Sequence, residues 1–333
     1  MKARGQRSGP LAPVVARLCT LGAVITDVMP LGVASVLSLA LLAAATPAPT
    51  AFESLIAERL AGFKGLMGVA ARHLDTGETV LVNADTRFPT ASAIKTAVMI
   101  EVYNQVAEGR LRMAQPVILT DGVKVGGSGV LQHLRAGLSL AVSDLVTLMM
   151  ALSDNTATNM LIALVGTANV DRRLAGYGLV DTKLFRPTFH GGHAEVSPEL
   201  EPEFGLGMST PRELARLMEL IVEGKVVSRA ASDEMMAVLE RQQHRDMIPR
   251  ALPETSGLRV GNKPGWDEEK RPGPDGRLRH VRTDAGYVIS PAGRYVIAIC
   301  ARQVEDTRWG PDNEALTLGA ALSRMVYDHF LGR

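Results

Sequence analysis

Only two of the 333 residues are cysteines, Cys19 and Cys300, and neither sign of charge is in excess. Cys19 lies in an N-terminal segment that reads as a removable leader. The remaining chain then keeps Cys300 alone and cannot close an intrachain disulfide. Cys300 ends the apolar run Tyr295-Val296-Ile297-Ala298-Ile299-Cys300, where it reads as a small buried hydrophobe with no catalytic part. Lysine plus arginine number 36 against 35 aspartate plus glutamate, interspersed rather than in blocks, for a net charge of +1. That balance removes the electrostatic case for a nucleic-acid or polyanion partner and fits a small, roughly neutral substrate. A set of metal ligands is also missing: His190 and His193 have no evident third partner, so neither metal nor cofactor is expected. No repeat or low-complexity segment follows Pro49. A chain of this length can bury a sizeable core, as one large domain or two.

The N-terminus carries Lys2, Arg4, Arg7 and Arg17, then the apolar run from Leu31 to Ala45, then Thr46-Pro47-Ala48-Pro49-Thr50. This is the layout of a secretory signal cleaved near Ala45, and it predicts an exported protein, periplasmic or extracellular. The alternative is an uncleaved membrane anchor, because the uncharged stretch from Val28 to Phe52 is long enough to span a bilayer. Leu18 before Cys19 is not a small residue, which argues against a lipid-modified cysteine. The chain therefore divides into a signal or anchor over residues 1–48 and a catalytic domain over residues 51–333.

Strand patterns sit at the two ends of that domain: Leu66 to His73 and Thr79 to Val82, then Leu258 to Asn262, Thr283 to Ile289 and Tyr295 to Ala301. Helical periodicity fills the middle, at Ala93 to Glu108, Val142 to Leu152, Thr156 to Leu164, Pro211 to Glu223 and Arg229 to Leu239, and returns at Asn313 to Phe330. The expected fold is α+β: an antiparallel sheet built from both chain ends with flanking helices (about 51–87 and 250–333), and an inserted all-helical lobe (about 88–249). A cleft between the lobes is the natural place for a site.

Ser92 and Lys95 stand three apart in Phe88-Pro89-Thr90-Ala91-Ser92-Ala93-Ile94-Lys95, at the start of a helical run. That spacing puts both side chains on one face. A serine hydroxyl needs a neighbouring base to take its proton, and a partly desolvated lysine can be that base. Backbone N–H groups at the helix start can in addition stabilise an oxyanion. A helix cap followed by a surface lysine would give the same letters. Two further elements decide between the readings. Ser153-Asp154-Asn155 lies between the apolar runs ending at Leu152 and beginning at Met160, where polar groups are buried and need partners. Lys263-Pro264-Gly265-Trp266 ends a strand-like run.

Ser-x-x-Lys, then Ser-Asp-Asn, then Lys-x-Gly, in this order and on these element types, is the set of penicillin-recognising serine enzymes. The segments Arg87 to Lys95, Ser153 to Leu161 and Lys263 to Gly265 resemble those of class A β-lactamases, and the resemblance extends over about Ala51 to Phe330. It implies a serine hydrolase that opens a β-lactam ring through an acyl-enzyme on Ser92, with Lys95 as proton acceptor. Ser153 would relay the proton to the ring nitrogen under the influence of Lys263, and Asn155 would hold Lys95 and the substrate amide. The backbone N–H groups of Ser92 and Trp266 would form the oxyanion hole. Gly265, Trp266 and Arg282 are the implied substrate-binding residues. A β-lactam or a D-Ala-D-Ala-like peptide is the implied partner, and a monomer is expected. Alternatives are a D,D-peptidase-like enzyme, or a penicillin-binding or sensor protein acylated at Ser92 and slow to deacylate.

Two departures stand out. Pro264 replaces the usual Thr or Ser, losing a hydroxyl and an N–H that could serve a substrate carboxylate, with Arg279 and Arg282 as candidate substitutes. The family's deacylating glutamate is also missing: aligned from Leu184-Phe185-Arg186, Thr188 falls at its position, and in the register set by Pro198-Glu199-Leu200, Ser197 does. Glu195, Glu199, Glu201 and Glu203 are the candidate bases on the loop that follows, each alternatively a solvated loop carboxylate. His190 and His193 are candidates at neutral pH.

Overall fold

The computed structural model describes residues 48–189 and 194–332. Residues 1–47 of the expected leader or anchor over 1–48, and His190 and His193, lie outside the described residues. Helix α1 (Ala51–Leu60) opens the body, started by a capping box in which Thr50 and Glu53 bond each other's backbone. Strands β1 (Leu66–His73) and β2 (Thr79–Val82) follow.

The chain then leaves the sheet. A short strand β3 (Phe88–Pro89) leads through a 3₁₀ turn, Ala91–Ile94, into α2 (Lys95–Ala107). A small hairpin of β4 (Pro116–Ile118) and β5 (Ser139–Ala141) precedes α3 (Val142–Ala151), α4 (Asn155–Val165) and α5 (Thr167–Gly176). After β6 (Lys183–Leu184), the single turn α6 (Glu201–Phe204) and β7 (Gly207–Ser209) come α7 (Pro211–Val222) and α8 (Arg229–Leu239). The return is made by β8 (Arg259–Glu268), β9 (His280–Ser290) and β10 (Gly293–Val304), and α9 (Glu314–Leu331) closes the fold.

The two ends build one antiparallel sheet in the order β2-β1-β10-β9-β8, as the strand patterns predicted. Period-two alternation separates its faces. On β10, Tyr295, Ile297 and Ile299 pack with Ile56 of α1 and Leu322 and Val326 of α9. Val296, Ala298 and Cys300 face the opposite core, shared with α2, α3, α4, α7 and α8. Cys300 is accordingly buried, and burial pushes its thiol pKa up. Among the described residues, no helix is long and apolar enough to cross a membrane.

Strand β8 differs from its sequence pattern in length, running past the expected end at Asn262 through Lys263-Pro264-Gly265 to Glu268. Because β8 is the sheet edge, Pro264 sits in a strand without removing an interior ladder bond.

Candidate active site

The nucleophile element is set by an abrupt change of backbone. Strand β3 is fixed by pairing with β7, and Ala91 then adopts a left-handed conformation (φ 43°) that throws the chain into the 3₁₀ turn bearing Ser92. Regular α-helix begins only at Lys95, two residues later than the hydrophobic pattern suggests. Lys95 is fully buried, and its Nζ is ringed by three oxygens: Ser153 O and Asn155 Oδ1, each at 2.7 Å, and Ser153 Oγ at 3.2 Å. Burial, and next the charge of Lys263, hold this amine well below the ordinary lysine value, with Asp154 opposing. Lys95 is thus a candidate proton acceptor.

The Ser-Asp-Asn segment joins α3 to α4, with Ser153 again left-handed (φ 55°). Asp154 caps α4 by accepting from Ala157 N at 2.9 Å. Its other oxygen accepts from Val130 N at 2.7 Å and Leu131 N at 2.9 Å. Asn155 Nδ2 donates to Gly126 O at 3.0 Å. The aspartate therefore ties down the loop ahead of α3, and the asparagine spans from that loop to Lys95.

The third element arrives on β8. Lys263 is fully buried, and its Nζ donates to Ser153 Oγ at 3.0 Å and to Pro264 O at 2.9 Å. Burial lowers its pKa to about 7, opposed by the charge of Asp284. Asp284, raised to about 7 by its own burial, accepts from Asn262 Nδ2 at 3.0 Å and Ile248 N at 3.0 Å. Gly265 permits β8 to pass directly over the Ser92 turn. A Cβ there would collide with Thr90 O and lie 2.8 Å from both Ser92 N and Ala93 N.

These elements converge on a cleft of about 330 Å³, lined among others by Ser92, Ser153, Asn155, Pro264 and Trp266. Lys95 and Lys263 stand behind Ser153 rather than on the surface. Thr188 lines the cleft too, its backbone held by Asn159.

The four candidate glutamates lie elsewhere. Glu195 is exposed and borders a separate cavity beside Asn159 and Pro187. Glu199 is exposed, Glu201 pairs with Arg186 at 3.0 Å, and Glu203 pairs with Arg302 at 3.0 Å. Arg282 is fully buried behind Trp266 and Trp309, and Arg279 pairs with Asp275 at 2.9 Å. Neither arginine lines the cleft.

Several lining residues carry no motif. Phe189, left-handed (φ 48°) and 66 % exposed, comes from the loop after β6. His244, its pKa lowered by burial and the Lys263 charge, rests against Trp266 at 5.4 Å between ring centroids. Asp267 and Trp309 complete the far wall. Of the six non-glycine residues with positive φ among the described residues, three, Ala91, Ser153 and Phe189, line this one cleft. Such conformations cost about 1–3 kcal/mol each and persist where the surroundings impose them.

Residues 51–330 match the beta-lactamase enzyme family. Among curated proteins, the beta-lactamase regulatory protein BlaB of Streptomyces cacaoi is 30 % identical over 119 residues. That match takes in 35 % of this chain and only 38 % of the relative. A crystal structure of a β-lactamase from Sphaerobacter thermophilus is 32 % identical, with a TM-score of 0.70, over 84 % of this chain and 96 % of that one. A mutant form of PBP-A, solved as an acyl-enzyme complex with penicillin G, is 26 % identical, with a TM-score of 0.69, over 85 % and 95 % of the two chains. A buried lysine pair about one serine hydroxyl, beside a second serine in the same cleft, is thus carried on a chain that belongs to the β-lactamase enzyme family.

Proposed function

We propose that the protein is a class A-like serine hydrolase that opens the β-lactam ring through an acyl-enzyme on Ser92. The observation that carries this reading is the position of Ser153 Oγ, 3.2 Å from Lys95 Nζ and 3.0 Å from Lys263 Nζ, in the cleft that Ser92 lines. In the proposed sequence, Ser92 Oγ attacks the lactam carbonyl and passes its proton to neutral Lys95. The Ser153 hydroxyl delivers a proton to the ring nitrogen as the C–N bond breaks. Lys263, as the cation, replenishes Ser153 or stabilises its oxygen. The close passage of Gly265 over the Ser92 turn supports an oxyanion site made from the Ser92 and Trp266 N–H groups. Water then hydrolyses the Ser92 ester. Export of this activity is part of the proposal, on the strength of the residues from Lys2 to Ala45.

A second reading is favoured by one specific feature. Among the described residues, none of Glu195, Glu199, Glu201 and Glu203 lines the cleft, and Thr188 does. Acylation without an efficient general base for water would make a penicillin-binding or D,D-peptidase-like protein that holds its adduct. A chromogenic cephalosporin assay, combined with intact-protein mass spectrometry, tests both. Sustained hydrolysis abolished in Ser92→Ala supports the hydrolase, and a stoichiometric burst with a stable Ser92 adduct supports the second reading. The absence of both hydrolysis and an adduct on the wild type refutes both.

A further inference from the structure

The chain has two tryptophans, and both line the Ser92 cleft. Trp309 is 50 % exposed, an unusual state for the largest apolar side chain unless its free face is used. It is nevertheless held rigidly. The Arg282 guanidinium lies 4.9 Å from its ring centroid and 5.9 Å from that of Trp266, a cation between two indole faces. His280 packs against Trp309 with ring centroids 4.7 Å apart.

Arg282 in turn is fixed by its own hydrogen bonds. It donates to Val281 O, His280 Nδ1 and Arg308 O, each at 2.8 Å. Burial lowers its pKa only to about 10, so it remains a cation at neutral pH. Arg308 O, one residue before Trp309, accepts a second bond from Asn313 Nδ2 at 3.0 Å. Asp306 accepts from Glu314 N at 2.7 Å and so ties the loop to the start of α9. The exposed indole is therefore preorganised, and binding against it forfeits little side-chain entropy.

Its place along the cleft identifies what it meets. Asn155 and Phe189 mark one end, where Gly127 leaves room for the Phe189 ring: a Cβ at Gly127 would approach Phe189 Cε2 to 2.9 Å. Pro264 and Trp266 line the cleft from β8, and the buried Lys263 stands behind them 3.0 Å from the Oγ of Ser153, the proton donor to the lactam nitrogen in the reading above. A substituent on the ring fused through that nitrogen shares the cleft with Trp266 and Trp309, the two indoles that line it together with Ser153. Among the described residues no arginine side chain lines the cleft, and Asp267 does.

Resting on the acyl-enzyme reading, we propose that Trp309 is a specificity-determining stacking platform that favours acyl donors bearing a planar aromatic or heteroaromatic group on the nitrogen-side ring. The test compares two cephalosporins with one 7-acyl group, differing at C3 in a 2,4-dinitrostyryl or a methyl substituent. The second-order rate constant for acylation is measured for each in the wild type, Trp309→Ala and Trp309→Phe, with Ser92 adducts followed by mass. The styryl-to-methyl ratio is expected to fall about three- to tenfold in Trp309→Ala and to be largely restored in Trp309→Phe. An unchanged ratio, with adducts still formed from both substrates, overturns this proposal and leaves the acyl-enzyme reading standing. Absence of both adducts and Ser92-dependent hydrolysis with both substrates on the wild type overturns the acyl-enzyme reading and this proposal with it.

Discussion

Asn159 and Thr188 hold each other through both ends of one side-chain amide: Asn159 Nδ2 donates to Thr188 O at 2.8 Å, and Thr188 N donates to Asn159 Oδ1 at 2.9 Å. The pair carries the loop backbone onto α4, one turn along from the Lys95 partner Asn155, and sets Thr188 at the cleft wall. A hydroxyl at that position is a poor base for water, whereas a carboxylate would be a competent one.

Thr188→Glu therefore places a general base at the Ser92 cleft without disturbing the backbone bonds that fix the position. The expected outcome is faster loss of the acyl group, by roughly 100-fold or more, the range of general-base assistance. Adduct lifetime is read by intact mass after free β-lactam is removed. A lifetime within about twofold of the wild type would refute the assignment of position 188.

The two lysines predict opposite limbs in the pH profile of acylation. Lys95 must be neutral to accept the Ser92 proton, and its lowered pKa makes that form available well below pH 10.5. Lys263 must be the cation, and burial brings its pKa to about 7. Acylation should therefore rise with pH on the acid side and decline above about 7, with apparent values belonging to the linked Lys95–Ser153–Lys263 cluster. Lys263→Arg keeps the charge throughout this range. It should abolish the alkaline decline even if the absolute rate drops. A decline unchanged in this variant would mean that another group titrates.

The acylating residues were legible in the sequence because each sits in a short local pattern whose neighbours fix it: Ser92 and Lys95 by helical spacing, Ser153 and Asn155 by their apolar flanks, Lys263 by the end of a strand pattern. The sheet built from both chain ends was legible for the same reason, through the short strand-like runs of β1, β2, β9 and β10 at the two ends of the domain. Helix α1 was missed, although Thr50-x-x-Glu53 is a capping-box signature that marks its start. The extension of β8 was missed because Lys-Pro-Gly reads as a turn, and only an edge position lets Pro264 continue the strand. His244, Phe189 and Trp309 had no signal at all. They come from three separate loops, and only tertiary packing brings them to one cleft. The position of Arg282 shows the converse: a strand residue two before Asp284, it points toward the cleft wall, but Trp266 and Trp309 cover it.

Gly265 offers the sharpest separation of catalysis from stability. Its missing side chain lets β8 lie against the turn that presents Ser92, so closely that a Cβ there would be 2.8 Å from Ser92 N. In Gly265→Ala the added Cβ would sit against Thr90 O, Ser92 N and Ala93 N, all backbone atoms that no rotamer change can move aside. Strand and turn must therefore part by several tenths of an ångström or more. The Lys95–Asn155 contact, made wholly within the helical lobe, does not depend on that approach. The expected result is a loss of acylation of roughly 10²–10³, the magnitude of a lost oxyanion donor. A thermal melt should stay cooperative, with its midpoint lowered by only a few degrees, since about 1–3 kcal/mol of overpacking strain is involved. Rate constants on a chromogenic cephalosporin and a circular-dichroism melt of the same sample measure the two effects. Acylation within about threefold of the wild type would mean that this close approach is packing alone and that the oxyanion is held elsewhere.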